Sequence, residues 1–251
     1  MRKQTKFIIL IVEGITDQDV YELILTPFLE EKSIYKELRC KCTQGDFFSK
    51  KNIEIHNLKN HIRNEVKHYL DTQYLSVNDI EAVIQICDID GIYIPKTRFK
   101  DNKDNDYSYG YNDEGELIRY YDREAIDYLY NIYQKKKQLL EQATRYNHIK
   151  INKKEIPYRL FYQSIFLENL IEERFIDSSN KSLKNKIIDD FISHLDNMNN
   201  EDIIEFSTRF FKNKLIEQNM SYLQSWTSLN DKNCLSVSNL YFFIEKLIDI
   251  V

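Results

Sequence analysis

Glycine, proline and cysteine are all scarce in this chain: five, three and four residues among 251. So few turn-formers exclude a protein built from many short strands and tight turns, and favour long regular elements. Four cysteines in a chain this long do not make a disulfide framework. Cys40 and Cys42 form a C-x-C pair without a matching pair or a nearby C-x-x-H, so zinc is the weaker reading and ordinary strand cysteines the stronger. Cys87 lies inside an apolar run and reads as a small core residue. The apolar run near the N-terminus is too short to span a bilayer, and no signal-peptide cleavage pattern follows it, so no membrane partner and a cytoplasmic address are expected. Basic excess is also lacking. A net charge of −5 argues against whole-surface binding to nucleic acid, although a local basic groove remains compatible with it.

What is present is enough apolar material for a real core, with 42% hydrophobic and 30% charged residues. Lys6 to Val12 is a β-branched run suited to a strand buried on both faces. Thr16 reads as the N-cap of the next helix, with Asp19 as a shortened capping-box partner. Val20, Leu23, Ile24 and Phe28 then recur at helical spacing, and Pro27 limits the helix end. A short strand is expected at 38–43, and a helix over 52–70 with Ile55, Leu58, Ile62 and Val66 on one face. Glu81 to Asp88 is the next strand. Residues 96–121 lose hydrophobic periodicity and read as an irregular insertion, followed by a helical insertion over 122–148. Pro157 opens a strand through Tyr162, Ser164 to Phe175 reads as a helix, and amphipathic helices are expected near 183–195, 201–217 and 236–250. Strand–helix alternation followed by helices predicts an α/β core over 1–177, with a mostly parallel sheet flanked by helices, and an α-helical C-terminal region over 178–251.

Two strands end in acids. The first delivers Glu13-Gly14-Ile15-Thr16-Asp17, the second Asp88-Ile89-Asp90-Gly91. Open α/β sheets place their sites at the C-terminal ends of their strands. Carboxylates converging there repel one another unless a cation stands between them, and hard oxygen donors suit Mg²⁺ or Mn²⁺ over zinc. Asp88 and Asp90 share a face if the strand persists through both. Capping is the competing reading for Asp17 and Asp19, since acids in a first helical turn are favoured by the helix dipole.

These motifs resemble the TOPRIM domain, the Rossmann-like unit shared by topoisomerases, primases, ribonuclease M5 and the OLD-family nucleases. The E-x-x-x-D spacing of Glu13 and Asp17 is most similar to the OLD branch and its relatives among phage-defence effectors. That branch also carries S-x-x-L-E, matched here by Ser164-Ile165-Phe166-Leu167-Glu168. The resemblance covers pieces between about residues 5 and 175 and leaves the C-terminal helices unexplained. It implies a one- or two-metal cleavage site of Glu13, Asp17, Asp88, Asp90 and Glu168, with Glu13 as general base or bridging ligand. Gly14 and Ser164 would act beside it; a helix N-cap is the plainer reading of Ser164, and a solvated helix residue that of Glu168.

The resemblance further implies a lysine from a later segment, for which Lys212, Lys214 and Lys232 are candidates. Arg209, Lys212 and Lys214 could share one basic helix face, against the plainer reading of a solvated one. The implied activity is an endonuclease on DNA or RNA, the toxic effector of an antiviral defence system. The chain lacks the G-x-x-x-x-G-K-[S/T] phosphate loop, so the implied partner is a separate ABC-type ATPase; a homodimer is a further expectation. A maturation ribonuclease like ribonuclease M5 ranks lower, because Ile89 stands where its second motif has proline. A non-catalytic TOPRIM binding module is the remaining alternative. Tyr107, Tyr109, Tyr111, Tyr120 and Tyr121, with Lys96, Arg98, Lys100 and Lys103, could stack on bases and track phosphates, or pack the insertion against the domain or a partner.

Overall fold

A computed structural model describes residues 6–31, 36–102, 109–113, 116–173, 176, 180–232 and 236–249. Tyr107, Lys103 and Phe175 lie outside these. The centre is a five-stranded sheet in the order β2-β1-β3-β8-β7. Its members are β1 (Lys6–Val12), β2 (Lys36–Cys42), β3 (Ile80–Asp88), β7 (His148–Ile151) and β8 (Lys154–Gln163). β1 runs parallel to β2 and β3, and β3 parallel to β8; only β7 is antiparallel, hairpinned to β8. The fold is therefore α/β with a mostly parallel mixed sheet flanked by helices, compatible with a Rossmann-like core.

Alternate residues of β1 feed opposite layers, as a strand buried on both faces requires. Ile8, Leu10 and Val12 pack with α1 (Ile15–Glu31) and with the C-terminal helices α5 (Lys181–Asp196), α6 (Asn200–Asn213) and α8 (Tyr241–Asp249). Phe7, Ile9 and Ile11 face α2 (Leu58–Thr72) and α3 (Ile126–Ala143). α1 buries Val20, Tyr21, Ile24, Leu25 and Phe28, each worth about 1.5–3 kcal/mol of apolar transfer. That burial outweighs Pro27, which sits inside the helix without ending it.

The described part of 178–251 thus meets both faces of the sheet: α5, α6 and α8 share the α1 layer, whereas Trp226 and Leu229 pack with α2 and α3. Its Asn239 Oδ1 accepts from Tyr162 N at 2.8 Å, and Ser238 Oγ donates to Tyr162 O at 2.9 Å, which docks it on the exposed flank of β8. α7 (Tyr222–Thr227), closed by a Ser221 capping box, was not anticipated.

Several expectations are corrected. Thr16 is inside the first turn of α1 and is not its N-cap, because the helix already begins at Ile15. α2 starts at Leu58; Ile55 precedes it in a turn and is exposed. Pro157 does not open its strand: β8 begins at Lys154 and pairs His148 with Pro157, while pairing to β3 starts only at Tyr158. A residue without an N–H is tolerated where only one neighbour is paired. Ser164 is no helix cap, since the following helix α4 (Leu167–Glu172) is capped at Phe166.

The 96–121 insertion is ordered where described. It holds β4 (Phe99–Asp101), β5 (Tyr109–Tyr111) and β6 (Leu117–Tyr121), a second sheet in the order β4-β6-β5. Its Phe99, Tyr109 and Leu117 pack on Leu129 and Tyr133 of α3, so short aromatic strands escaped a search for long periodic ones. Among the described residues no helix is long and apolar enough to cross a membrane.

Candidate metal centre

The chain passes from β1 to β2 on one side and to β3 on the other, so β1 and β3 flank the switch point where doubly wound sheets bind ligands. Glu13 and Asp17 follow β1, and Asp88 and Asp90 end or follow β3. Glu13 Oε1 accepts from the backbone N–H of Asp88 at 3.3 Å, which joins the two strand ends directly. Asp17 Oδ2 accepts from Gly14 N at 2.9 Å. A Cβ on Gly14 would stand 3.0 Å from that same oxygen, so glycine makes room for the carboxylate to fold back.

Asp90 does not continue the strand. β3 stops at Asp88, and Asp90 adopts a left-handed φ of 43° in the turn that follows. The expected shared face of Asp88 and Asp90 is therefore replaced by a bend that turns Asp90 toward α3. Gly91 allows that bend to press on the insertion, because a Cβ there would lie 2.9 Å from the Tyr133 ring.

Three site residues went unrecognised in the sequence. Asp46, in the loop after β2, receives hydrogen bonds from Phe48 N at 2.9 Å and from the Ser49 hydroxyl. Lys136 of α3, with no exposed side chain, places Nζ 2.5 Å from Asp90 Oδ2 and 2.9 Å from Asp46 Oδ2. Gln163, the last residue of β8, donates through Nε2 to Asp17 Oδ1 at 3.0 Å and to Asp88 Oδ1 at 2.5 Å. The buried Tyr21 hydroxyl donates to Gln163 Oε1 and fixes which way the amide faces.

Signals for two of the three existed. Asp46 follows a strand whose C-terminal end adjoins that of β1. Lys136 falls on the stripe Leu129, Tyr133, Leu140 and Ala143, at helical spacing, inside a Lys135-Lys136-Lys137 run.

Glu168, in the first turn of α4, is ion-paired to Lys184 Nζ at 3.2 Å, and its charge acts on Asp17. Ser164 is buried in the β8–α4 connection, where its carbonyl accepts from Ile89 N at 3.3 Å. The three candidate lysines make their contacts elsewhere. Lys214 is buried and bound to Glu173 at 2.6 Å, Lys212 is exposed beside the Tyr241 ring, and Lys232 is exposed. Arg209 pairs with Glu205 on α6 while Lys214 lies beyond the helix end, so the expected common basic face does not form.

In the insertion, Tyr109 is buried with the Arg119 guanidinium 4.4 Å from its ring centre. Lys96 and Arg98 are ion-paired, to Asp127 and to Glu116 and Asp231. Tyr109 thus packs against the domain, whereas Tyr111 is exposed.

The electrostatics divide the site. Burial pushes the Glu13 carboxyl well above its usual range; Lys136 opposes this, and Asp46, Asp90 and Asp17 add to it. Burial and the charges of Glu13, Asp17 and Asp90 push Asp88 well up too, against the Gln163 hydrogen bond. Asp17 and Asp90 are likewise raised, chiefly by burial. Asp46 is lowered: burial acts to raise it, but Lys136, Ser49 and Phe48 N together prevail. Burial would strip the Lys136 proton, yet Asp46, Asp90 and Glu13 hold its pKa well above the ordinary lysine value. One half, Asp46 and Asp90, shares a buried ammonium. In the other half, Asp17 and Asp88 share only a neutral amide.

Among the described residues no group of three or more His, Cys, Asp or Glu side chains already stands in a metal-holding arrangement. Gln163 spans Asp17 and Asp88, and Lys136 draws Asp90 to Asp46, which accounts for the spread. The donor chemistry still fits a hard divalent cation: all donors are oxygens, desolvated and short of positive charge. A cavity of about 560 Å³ lined by Tyr93, Lys137, Arg145, Trp226 and other residues includes none of these acids. Comparison with protein-family models, curated proteins and solved structures found no match.

Proposed function

We propose that the chain is a divalent-metal-dependent nuclease of TOPRIM type, hydrolysing phosphodiester bonds in DNA or RNA. The observation that carries this reading is the meeting of Glu13, Asp17 and Asp88 at the β1–β3 switch point, where Asp17 and Asp88 are bridged by a neutral amide. Glu13, Asp17 and Asp88 would hold Mg²⁺ or Mn²⁺, with Asp90 and Glu168 completing the acid set by the resemblance. Such an ion polarises a phosphodiester oxygen and favours attack by water. By the resemblance, Glu13 would take the proton from the attacking water or bridge the ion. Asp17 and Asp88 are kept in place by Gln163, and Lys184 steadies Glu168 at the rim.

The role as a toxic antiviral effector restrained by a separate ABC-type ATPase is proposed on the motif resemblance alone.

The test is incubation of the purified chain with plasmid, single-stranded DNA and total tRNA, in Mg²⁺, Mn²⁺ or EDTA, beside Glu13→Ala and Asp88→Ala. Cleavage that needs metal and vanishes in both variants is expected. Cleavage surviving both variants overturns the site assignment. No cleavage of any substrate, with or without an ATPase partner, favours a binding module.

A further inference from the structure

The insertion helix contributes a buried cation to the carboxylate centre, and its place there is specific. Lys136 Nζ lies 2.5 Å from Asp90 Oδ2 and 2.9 Å from Asp46 Oδ2, with its side chain wholly inaccessible to solvent. The two acids reach it from different loops, one following β2 and one following β3, and each retains about a fifth of its side-chain exposure (20% and 22%). A buried ammonium held between two carboxylates, with the charge of Glu13 also acting on it, performs the charge-balancing task of a bound cation without depending on ion concentration. An ion and an ammonium competing for the same oxygens would repel each other strongly in so desolvated a place.

We propose that Lys136 permanently fills the second cation position, so that the centre takes one divalent ion, on the Glu13–Asp17–Asp88 side. Asp46 and Asp90 are then lysine partners and not metal ligands. The inference rests on the reading that these acids hold metal, and it narrows the expected one or two ions to one. It also gives the 122–148 insertion a role: α3 delivers a fixed positive charge that Lys212, Lys214 and Lys232 are not positioned to supply.

The experiment is Mn²⁺ binding to the full chain, read as bound ions per chain by calorimetry and by loss of the free-ion paramagnetic signal. Wild type is expected to bind one ion. Asp90→Asn is expected to change the affinity less than about tenfold, whereas Asp88→Asn weakens it by about a hundredfold or more, the difference between a neighbour and a ligand. Lys136→Met frees Asp46 and Asp90 and is expected to bind two ions; Lys136→Arg, which keeps the charge, is expected to remain at one.

Two ions on wild type, or loss of binding in Asp90→Asn, overturns the inference and leaves the metal reading standing. One ion on folded Lys136→Met overturns it as well. Should that variant fail to fold, the wild-type stoichiometry and the Asp90→Asn affinity decide. No binding by wild type overturns the metal reading itself and this inference with it.

Discussion

Replacing Gln163 by leucine removes the one donor shared by Asp17 and Asp88 and strands the Tyr21 hydroxyl, whose side chain is fully buried. Hydrogen bonds to charged groups contribute about 1.5–3 kcal/mol each, and a buried hydroxyl without a partner costs about 1–3 kcal/mol. Because one side chain makes all these contacts the terms do not simply add, and a loss of about 3–5 kcal/mol is expected for Gln163→Leu in EDTA. Tyr21→Phe alone leaves Gln163 Oε1 without its donor and costs about 1–2 kcal/mol. The double variant removes both ends of that bond, so its loss falls short of the summed single losses by about 1–2 kcal/mol. Urea unfolding of the four proteins at neutral pH measures the cycle. A coupling below about 0.5 kcal/mol, or a Gln163→Leu loss below about 1 kcal/mol, refutes the clamp.

Gly91→Ala would press a methyl to 2.9 Å from the Tyr133 ring and 3.1 Å from Ile94, so a destabilisation of about 1–3 kcal/mol is expected in thermal melts. Gly14→Ala places its Cβ 3.0 Å from Asp17 Oδ2; metal affinity is expected to fall about tenfold, as for a displaced supporting contact, with little change in the EDTA melting temperature.

The metal-free chain should also lose stability with rising pH. Glu13, Asp17, Asp88 and Asp90 bind their protons more tightly folded than unfolded, so stability drains away as pH rises from their unfolded values, about 4, through the raised folded ones. Asp46 acts oppositely, stabilising above its unfolded value and ceasing to do so as pH falls through its lowered one. Lys136 contributes fully below about pH 10.4 and leaves the neutral range unaffected. Urea midpoints in EDTA are therefore expected to fall as pH rises above the unfolded carboxyl values of about 4, and saturating Mg²⁺ to flatten that decline.

The centre of the parallel core was legible because β1 and most of β3 are apolar runs. Lys6–Val12 matched at both ends, and the second strand missed only Ile80. The acids ending those strands were legible for the same reason, since parallel strand direction alone carries Glu13 and Asp88 to the same C-terminal end of the sheet. Asp90 was placed but misoriented: alternation holds only while a strand continues, and the left-handed turn at Asp90 breaks it. Lys136 was hidden by chemistry. A lysine on an apolar stripe reads as solvated unless its carboxylate partners are known, and those come from loops distant in sequence. Gln163 was hidden because a neutral amide carries no charge signature. The aromatic insertion concealed three-residue strands whose order depends on Tyr109 and Phe99 meeting α3, a contact no local pattern announces.

The most direct test compares melting temperatures of wild type and Asp88→Asn at pH 8, in EDTA and in Mg²⁺. At about a hundredfold excess over Kd the ion should stabilise wild type by about 2.7 kcal/mol, or about 5–10 °C for a chain of this size. Asp88→Asn removes a desolvated charge yet keeps an oxygen for Gln163, so it should melt above wild type in EDTA and ignore Mg²⁺. An unresponsive wild type, or an equal response in the variant, would contradict a cation held by these strand-end carboxylates.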